Sequence, residues 1–162
     1  NENIQIWMGD NNLTANIGGD IIFTRTIDER FPDFESVIPT DNDKEILVER
    51  SKLLSAVKRV SIFSNRSTQQ IALEISTEKT IVRTEDPEKA SKAKEEIDTK
   101  LNGDDITIGY NAAYLKEVLM HLKSQNIVLH LKTAISAGLI YPETQEPNCE
   151  VTMLLMPIRL ND

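Results

Sequence analysis

The feature that most restricts how this chain can fold is a pattern it carries twice. Residues 51–64 place Leu53, Leu54, Val57, Val60 and Phe63 three and four positions apart, the spacing that lines apolar side chains along one helix face. Residues 111–124 repeat the spacing with Leu115, Val118, Leu119 and Leu122. Ser51 answers Ala112, Leu54 answers Leu115 and Val57 answers Val118, an offset of roughly sixty residues. Ser51 and Asn111 are the predicted helix caps. A short strand precedes each helix and three follow it: 45–49, then 71–77, 80–84 and 97–101; 106–110, then 127–133, 138–141 and 151–158. Asn102-Gly103 reads as a hairpin turn. Two βαβββ units, each laying a helix stripe on antiparallel strands, predict a two-layer α+β domain over 44–162.

Residues 1–43 lack such a helix. Strands are expected at 4–8, 13–17 and 21–27, joined at Gly9 and Gly18-Gly19, with an uncovered apolar face of Ile4, Ile6, Ile17, Ile21 and Phe23. Thr40-Asp41-Asn42-Asp43 reads as a polar hinge. At the other end, Met153-Leu154-Leu155-Met156-Pro157-Ile158-Arg159-Leu160 is apolar enough for a core strand, yet Pro157 cannot donate a ladder hydrogen bond. Met156 to Leu160 should therefore leave the sheet as a partly exposed apolar tail, a kind of surface that marks binding sites.

The chain's 162 residues, 40% hydrophobic, suffice for one core, and 5% aromatics leave that core to Ile, Leu and Val. Cys149, the single cysteine, excludes an internal disulfide and fits a reducing compartment; it reads as a small buried or half-buried side chain rather than a nucleophile. The sequence shows no apolar run of membrane-spanning length and no amino-terminal signal pattern, so no membrane partner and a cytoplasmic location are expected. The start at Asn1 rather than Met points to a piece of a longer protein.

No catalytic constellation emerges, and an enzyme is not expected. His121 and His130 have no cysteine or carboxylate at ligand spacing. Asp41-Asn42-Asp43 and Gly103-Asp104-Asp105 lack the downstream acid of a calcium loop, and no phosphate-cradling glycine loop is present. No metal or cofactor is implied. The net charge of −8 argues against a simple nucleic-acid-binding module, but its distribution is uneven. Residues 51–66 carry +4 and 111–124 carry +1, leaving −13 elsewhere. Positive charge confined to the two helical segments would draw a polyanion to that layer alone.

Three stretches carry a resemblance: Leu154-Leu155-Met156-Pro157-Ile158-Arg159-Leu160, Arg30-Phe31-Pro32-Asp33-Phe34-Glu35-Ser36-Val37-Ile38-Pro39, and Ile108-Gly109-Tyr110-Asn111-Ala112-Ala113-Tyr114-Leu115. They resemble, in the same order, segments of the bacterial sliding clamp family, the beta subunit of DNA polymerase III. The resemblance implies a DNA-clamp fold, with 1–43 the end of a middle domain plus joining segment, 44–162 the third domain, and the first domain missing. It implies a non-catalytic processivity subunit of a DNA-directed DNA polymerase, which encircles duplex DNA without reading sequence.

Lys52, Lys58, Arg59, Lys116 and Lys123 would then face DNA. Linear peptides of the replicative polymerase, clamp loader and repair proteins would bind a pocket between the middle and third domains. Its third-domain side would be Thr68, Asn111, Tyr114, Ile135, Ala137, Leu154, Met156, Pro157, Ile158, Arg159 and Leu160, joined by Pro32, Ser36 and Val37. Thr68 stands where some relatives have an aromatic, giving a more open rim, and Asn161-Asp162 adds negative charge past the usual terminal Leu. Clamps close as head-to-tail homodimers, and Ile62 and Phe63 with the acidic stretch containing Glu95 and Glu96 would dock the next subunit. The alternative reading is a small apolar-ligand-binding accessory domain with no DNA role; the lack of a convergent polar set counts against it.

Overall fold

The computed structural model describes residues 3–160, so the Asn161-Asp162 extension lies outside the described residues. The chain divides into two compact units between Phe34 and Glu35.

In the first unit, β1 (Ile4–Met8), β2 (Asn12–Ile17) and β3 (Asp20–Arg25) form an antiparallel meander in the order β1-β2-β3. Gly18 (φ 61°) and Gly19 (φ 101°) make the second turn, where a side chain would be strained. The register corrects the expected apolar face. Ile4 pairs with Ile17 and Ala15 with Ile22, so Ile4, Ile6, Met8, Leu13, Ala15, Ile17 and Ile22 share one side. Ile21 and Phe23 fall on the other side with Trp7, because successive strand residues alternate. Every residue of β1 and β3 is exposed.

The second unit begins with a 3-10 turn at Glu35–Val37, then β4 (Lys44–Glu49), α1 (Arg50–Val60), a 3-10 turn at Ser61–Phe63, β5 (Gln70–Ile75), β6 (Lys79–Asp86) and β7 (Ser91–Asn102). Then come β8 (Ile106–Asn111), α2 (Ala112–His121), β9 (Asn126–Leu131), β10 (Gly138–Pro142) and β11 (Met153–Leu155). The expected order of strand, helix and three strands, twice over, is the observed one. All strands are antiparallel, in the order β11-β10-β9-β4-β7-β6-β5-β8. The two repeats are therefore interleaved: β4 of the first pairs with β9 of the second, and β5 with β8.

The helices pack on each other and bury Leu53, Ala56, Val57 and Val60 of α1 with Ala112, Leu115 and Leu119 of α2. They meet alternate residues of the strands: Ile46 and Val48, Ile71, Leu73 and Ile75, Ile127, Leu129 and Leu131. Thr80 and Thr99, buried on facing strands, satisfy each other through hydroxyls 3.0 Å apart.

Several expectations change. Helix α1 is capped at Glu49 without a side-chain hydrogen bond; Ser51 lies inside it and donates its hydroxyl to the Glu49 carboxylate instead. Leu54 is half-buried and Phe63 exposed, with Ala56 taking the inward place. The strand expected over 97–101 runs from Ser91, because Ser91–Asp98 pairs with β6 before Thr99–Asn102 pairs with β4. Asn102-Gly103 does not close a hairpin: β7 and β8 are not neighbours, and Gly103 (φ 130°) turns the chain toward β8, which pairs with β5 at the far end of the strand order. Cys149 is exposed.

Candidate functional site

The last strand breaks where Pro157 predicts it. After β11 the chain leaves β10 at Met156, then Ile158 rejoins the sheet, its N–H donating to the Gly109 carbonyl of β8 at 2.9 Å. The tail is thus only partly free, a correction to the expectation that it leaves the sheet altogether. This bridge completes a symmetry. Val48 pairs with Thr99 in the first repeat, as Gly109 pairs with Ile158 in the second, so the tail is the broken counterpart of β7. Gly109 is needed at the crossing, since a Cβ there would lie 2.6 Å from the Ile158 carbonyl oxygen and 2.7 Å from Leu160 Cδ2.

Large apolar side chains on the segments that adjoin β8, β10 and β11 stand in solvent. Tyr114 is 62% exposed, Ile135 60% and Met156 59%, while Leu154, Pro157, Ile158 and Leu160 are half-buried and Arg159 is exposed. Asn111 caps α2 as expected: its Oδ1 accepts from the Ala113 N–H (2.8 Å) and Tyr114 N–H (3.3 Å). Its Nδ2 donates to the Thr68 carbonyl at 3.1 Å. Ile135 is presented by a turn in which Thr133 Oγ1 accepts from the Ser136 N–H at 3.1 Å. The Ala137 carbonyl accepts from Asn42 Nδ2, which also reaches the His130 carbonyl (3.2 and 2.9 Å). The supposed hinge is therefore stapled to the β9–β10 connection, with Asp41 also ion-paired to Lys132. Asn42 was not singled out by sequence; its spacing from His130 and Ala137 left no local signal. Ser36 and Val37 sit exposed in the turn opening the second unit, and Pro32 is exposed in the first.

The basic side chains differ in their freedom. Lys58 and Lys123 are exposed and make no ion pair among the described residues, and Lys116 Nζ reaches Ser61 Oγ at 3.4 Å. Lys52 pairs with Asp98 (3.3 Å) and lies 3.9 Å from Glu49. Arg59 takes both oxygens of Glu95, which holds the Glu95 carboxyl below its ordinary range and raises the guanidinium further. Arg59, Glu95, Lys52 and Asp98 line an open hollow of about 420 Å³ between α1 and β7. Glu96 pairs with Lys79 at 3.0 Å. Ile62 and Phe63 are exposed on the turn after α1. Beside them the Ser91–Asp98 half of β7 has β6 on one side and no strand on the other among the described residues. Such an edge is a template for a further strand.

His121 Nδ1 bonds the Glu117 carbonyl (2.8 Å), and His130 packs edge-on against Tyr141 with ring centroids 5.1 Å apart. Among the described residues no group of His, Cys, Asp or Glu could hold a metal ion. Among the described residues no helix is long and apolar enough to cross a membrane.

The family profile "DNA polymerase III beta subunit, C-terminal domain" matches residues 35–159, well over half of the chain. The chain belongs to that family. It is 29% identical over 157 residues to the "Beta sliding clamp" of Proteus mirabilis and, at the same identity, to that of Escherichia coli K12. Each match covers 97% of this chain and 42% of the relative, so the chain spans about two fifths of the curated relatives' length. Its fold matches a crystal structure of a sliding clamp from Pseudomonas aeruginosa bound to griselimycin (TM-score 0.88, 29% identity, covering 97% of this chain and 42% of that one). It also matches a griselimycin-bound clamp from Bartonella birtlesii (TM-score 0.90, 28% identity, 97% and 41%).

Proposed function

We propose that this chain is the carboxy-terminal part of a DNA sliding clamp, with 1–43 the end of a middle domain and 44–162 the third domain. In this reading the parent protein is a cytoplasmic, non-catalytic processivity factor that closes as a homodimer around duplex DNA. It binds linear peptides of the replicative polymerase, clamp loader and repair proteins. Lys58, Lys116 and Lys123, with Lys52 and Arg59 more weakly, face the phosphate backbone; a few such charges with no groove-reading array give affinity without sequence preference. Ile62, Phe63 and the β7 edge bearing Glu95 and Glu96 receive the next subunit.

The observation that carries the peptide site is the exposure of Tyr114, Ile135 and Met156, on segments that adjoin β8, β10 and β11. Ile135, Leu154 and Ile158 supply apolar walls, Met156 an adaptable floor, Tyr114 an amphipathic wall and Arg159 a charged handle. The test is NMR titration with a short peptide carrying Gln followed by Leu and ending in Leu-Phe. Two buried apolar side chains offer roughly 3–6 kcal/mol before ordering costs, so this partial pocket should bind in the high micromolar range. Shifts should cluster at Tyr114, Ile135, Leu154 and Met156, and Met156→Ala should abolish them. Binding unchanged in Met156→Ala would reject the site.

A further inference from the structure

The Thr68–Asn111–Tyr114 part of the proposed site is held through a residue that lies outside it. Asn65 Oδ1 accepts three donors from the loop it opens: the Ser67 N–H (2.9 Å), the Ser67 hydroxyl (2.6 Å) and the Thr68 N–H (3.4 Å). Its backbone carbonyl accepts from the Gln69 N–H at 2.8 Å. Gln69 adopts φ 48°, a left-handed conformation unusual for a non-glycine residue, and its own carbonyl accepts from the Ala112 N–H at 2.8 Å. The loop so coiled delivers the Thr68 carbonyl to Asn111 Nδ2. Asn111 is then fixed in one amide orientation, NH2 toward Thr68 and oxygen toward the first turn of α2.

Asn65 is half-buried, and its side-chain oxygen is the acceptor for all three of those donors. Only a side chain that carries an acceptor at 65 can coil the loop in this way.

We propose that Asn65 is a positioning residue for peptide binding: its oxygen sets the loop whose Thr68 carbonyl orients the Asn111 cap and thereby places Tyr114. The loop hydrogen bonds to Asn65 and the cap hydrogen bonds to Asn111 act in series, so the acceptor at 65 is felt at the first turn of α2. The inference rests on the peptide-site reading above.

Amide exchange at Ala113 and Tyr114, measured without peptide on the 162-residue chain, tests the positioning itself. Titration with the peptide ending in Leu-Phe tests its consequence. Asn65→Ala should speed exchange at both amides about tenfold and weaken the peptide by a similar factor, since a set of hydrogen bonds loses its acceptor. Asn65→Ser keeps a shorter side-chain acceptor at the start of the loop and should restore part of both exchange protection and affinity relative to Asn65→Ala.

Wild-type exchange at Ala113 and Tyr114 in Asn65→Ala would overturn the proposal. So would an Asn65→Ser protein no better than Asn65→Ala. A wild-type chain whose peptide binding ignores Met156→Ala would remove the peptide site, while the peptide-free exchange would still decide the positioning.

Discussion

Arg59 and Glu95, 36 residues apart, form a two-point ion pair: Nη2 lies 2.5 Å from Oε1 and Nε 2.9 Å from Oε2. Fork-to-fork contact of this kind fixes geometry as well as charge. The resemblance assigns Arg59 to a DNA-facing set and Glu95 to a docking surface, yet the fold joins them across the groove between α1 and β7. Arg59 is thereby compensated, whereas Lys58, next to it in sequence, is not.

Duplex binding should separate these two neighbours. Lys58→Ala and Lys123→Ala should each lower the slope of log affinity against log salt by about one, whatever the DNA sequence. Arg59→Ala should change it little, and Glu95→Gln, which frees the guanidinium, should strengthen binding. Fluorescence anisotropy across a salt series on two unrelated duplexes is the measurement. Equal losses for Lys58→Ala and Arg59→Ala would show that the pair opens on DNA.

Acid should weaken the fold through the same pair. Arg59 holds the Glu95 carboxyl below its ordinary range, and Lys132 does the same for Asp41. A carboxyl depressed in the folded state contributes stability above its unfolded value, near 4, and loses it as pH falls through the folded value. Thermal melts should therefore show wild type above Arg59→Gln from neutral pH down to about 5. The two curves should merge toward pH 2.

Gly109 tests whether the tail depends on the bridge. Gly109→Ala drives a methyl into the Ile158 carbonyl and Leu160, so the bridge should open. Amide exchange at Ile158 should rise to that of an open chain, and affinity for the Leu-Phe peptide should fall about tenfold. The α1–α2 core residues Leu53, Leu115 and Leu119 should keep their protection.

Tyr110 offers a gain in stability. Its hydroxyl is buried and finds no hydrogen-bond partner among the described residues, and burial pushes its pKa upward. Tyr110→Phe removes a polar group that lost its water and gained nothing, so it should be neutral or stabilising by up to about 2 kcal/mol. Leu115→Ala, in contrast, should cost about 2–5 kcal/mol by emptying fully buried volume. Denaturant melts of the three proteins give the comparison directly.

What could be read from the sequence was whatever depends on near neighbours. Helical spacing located α1 and α2, Asn111 announced its own cap, Pro157 marked the break in the last strand, and the offset between Leu54 and Leu115 exposed the repeat. Each rests on a few consecutive residues, where backbone geometry and side-chain chemistry act without the rest of the chain. Tertiary structure decided the rest. Nothing local tells β4 to pair with β9, or carries the charged run from Ser91 to Glu96 into an edge strand, since strand propensity there is supplied by the pairing with β6. Ile21 and Ile4 look alike in sequence but face opposite ways because register, not composition, assigns faces. Arg59 reads as a free cation until β7 brings Glu95 beneath it, and Asn42 reads as a hinge residue until distant carbonyls give its amide a direction. Charge and hydrogen-bond partners are set by which strands lie side by side, and that is a property of the closed fold.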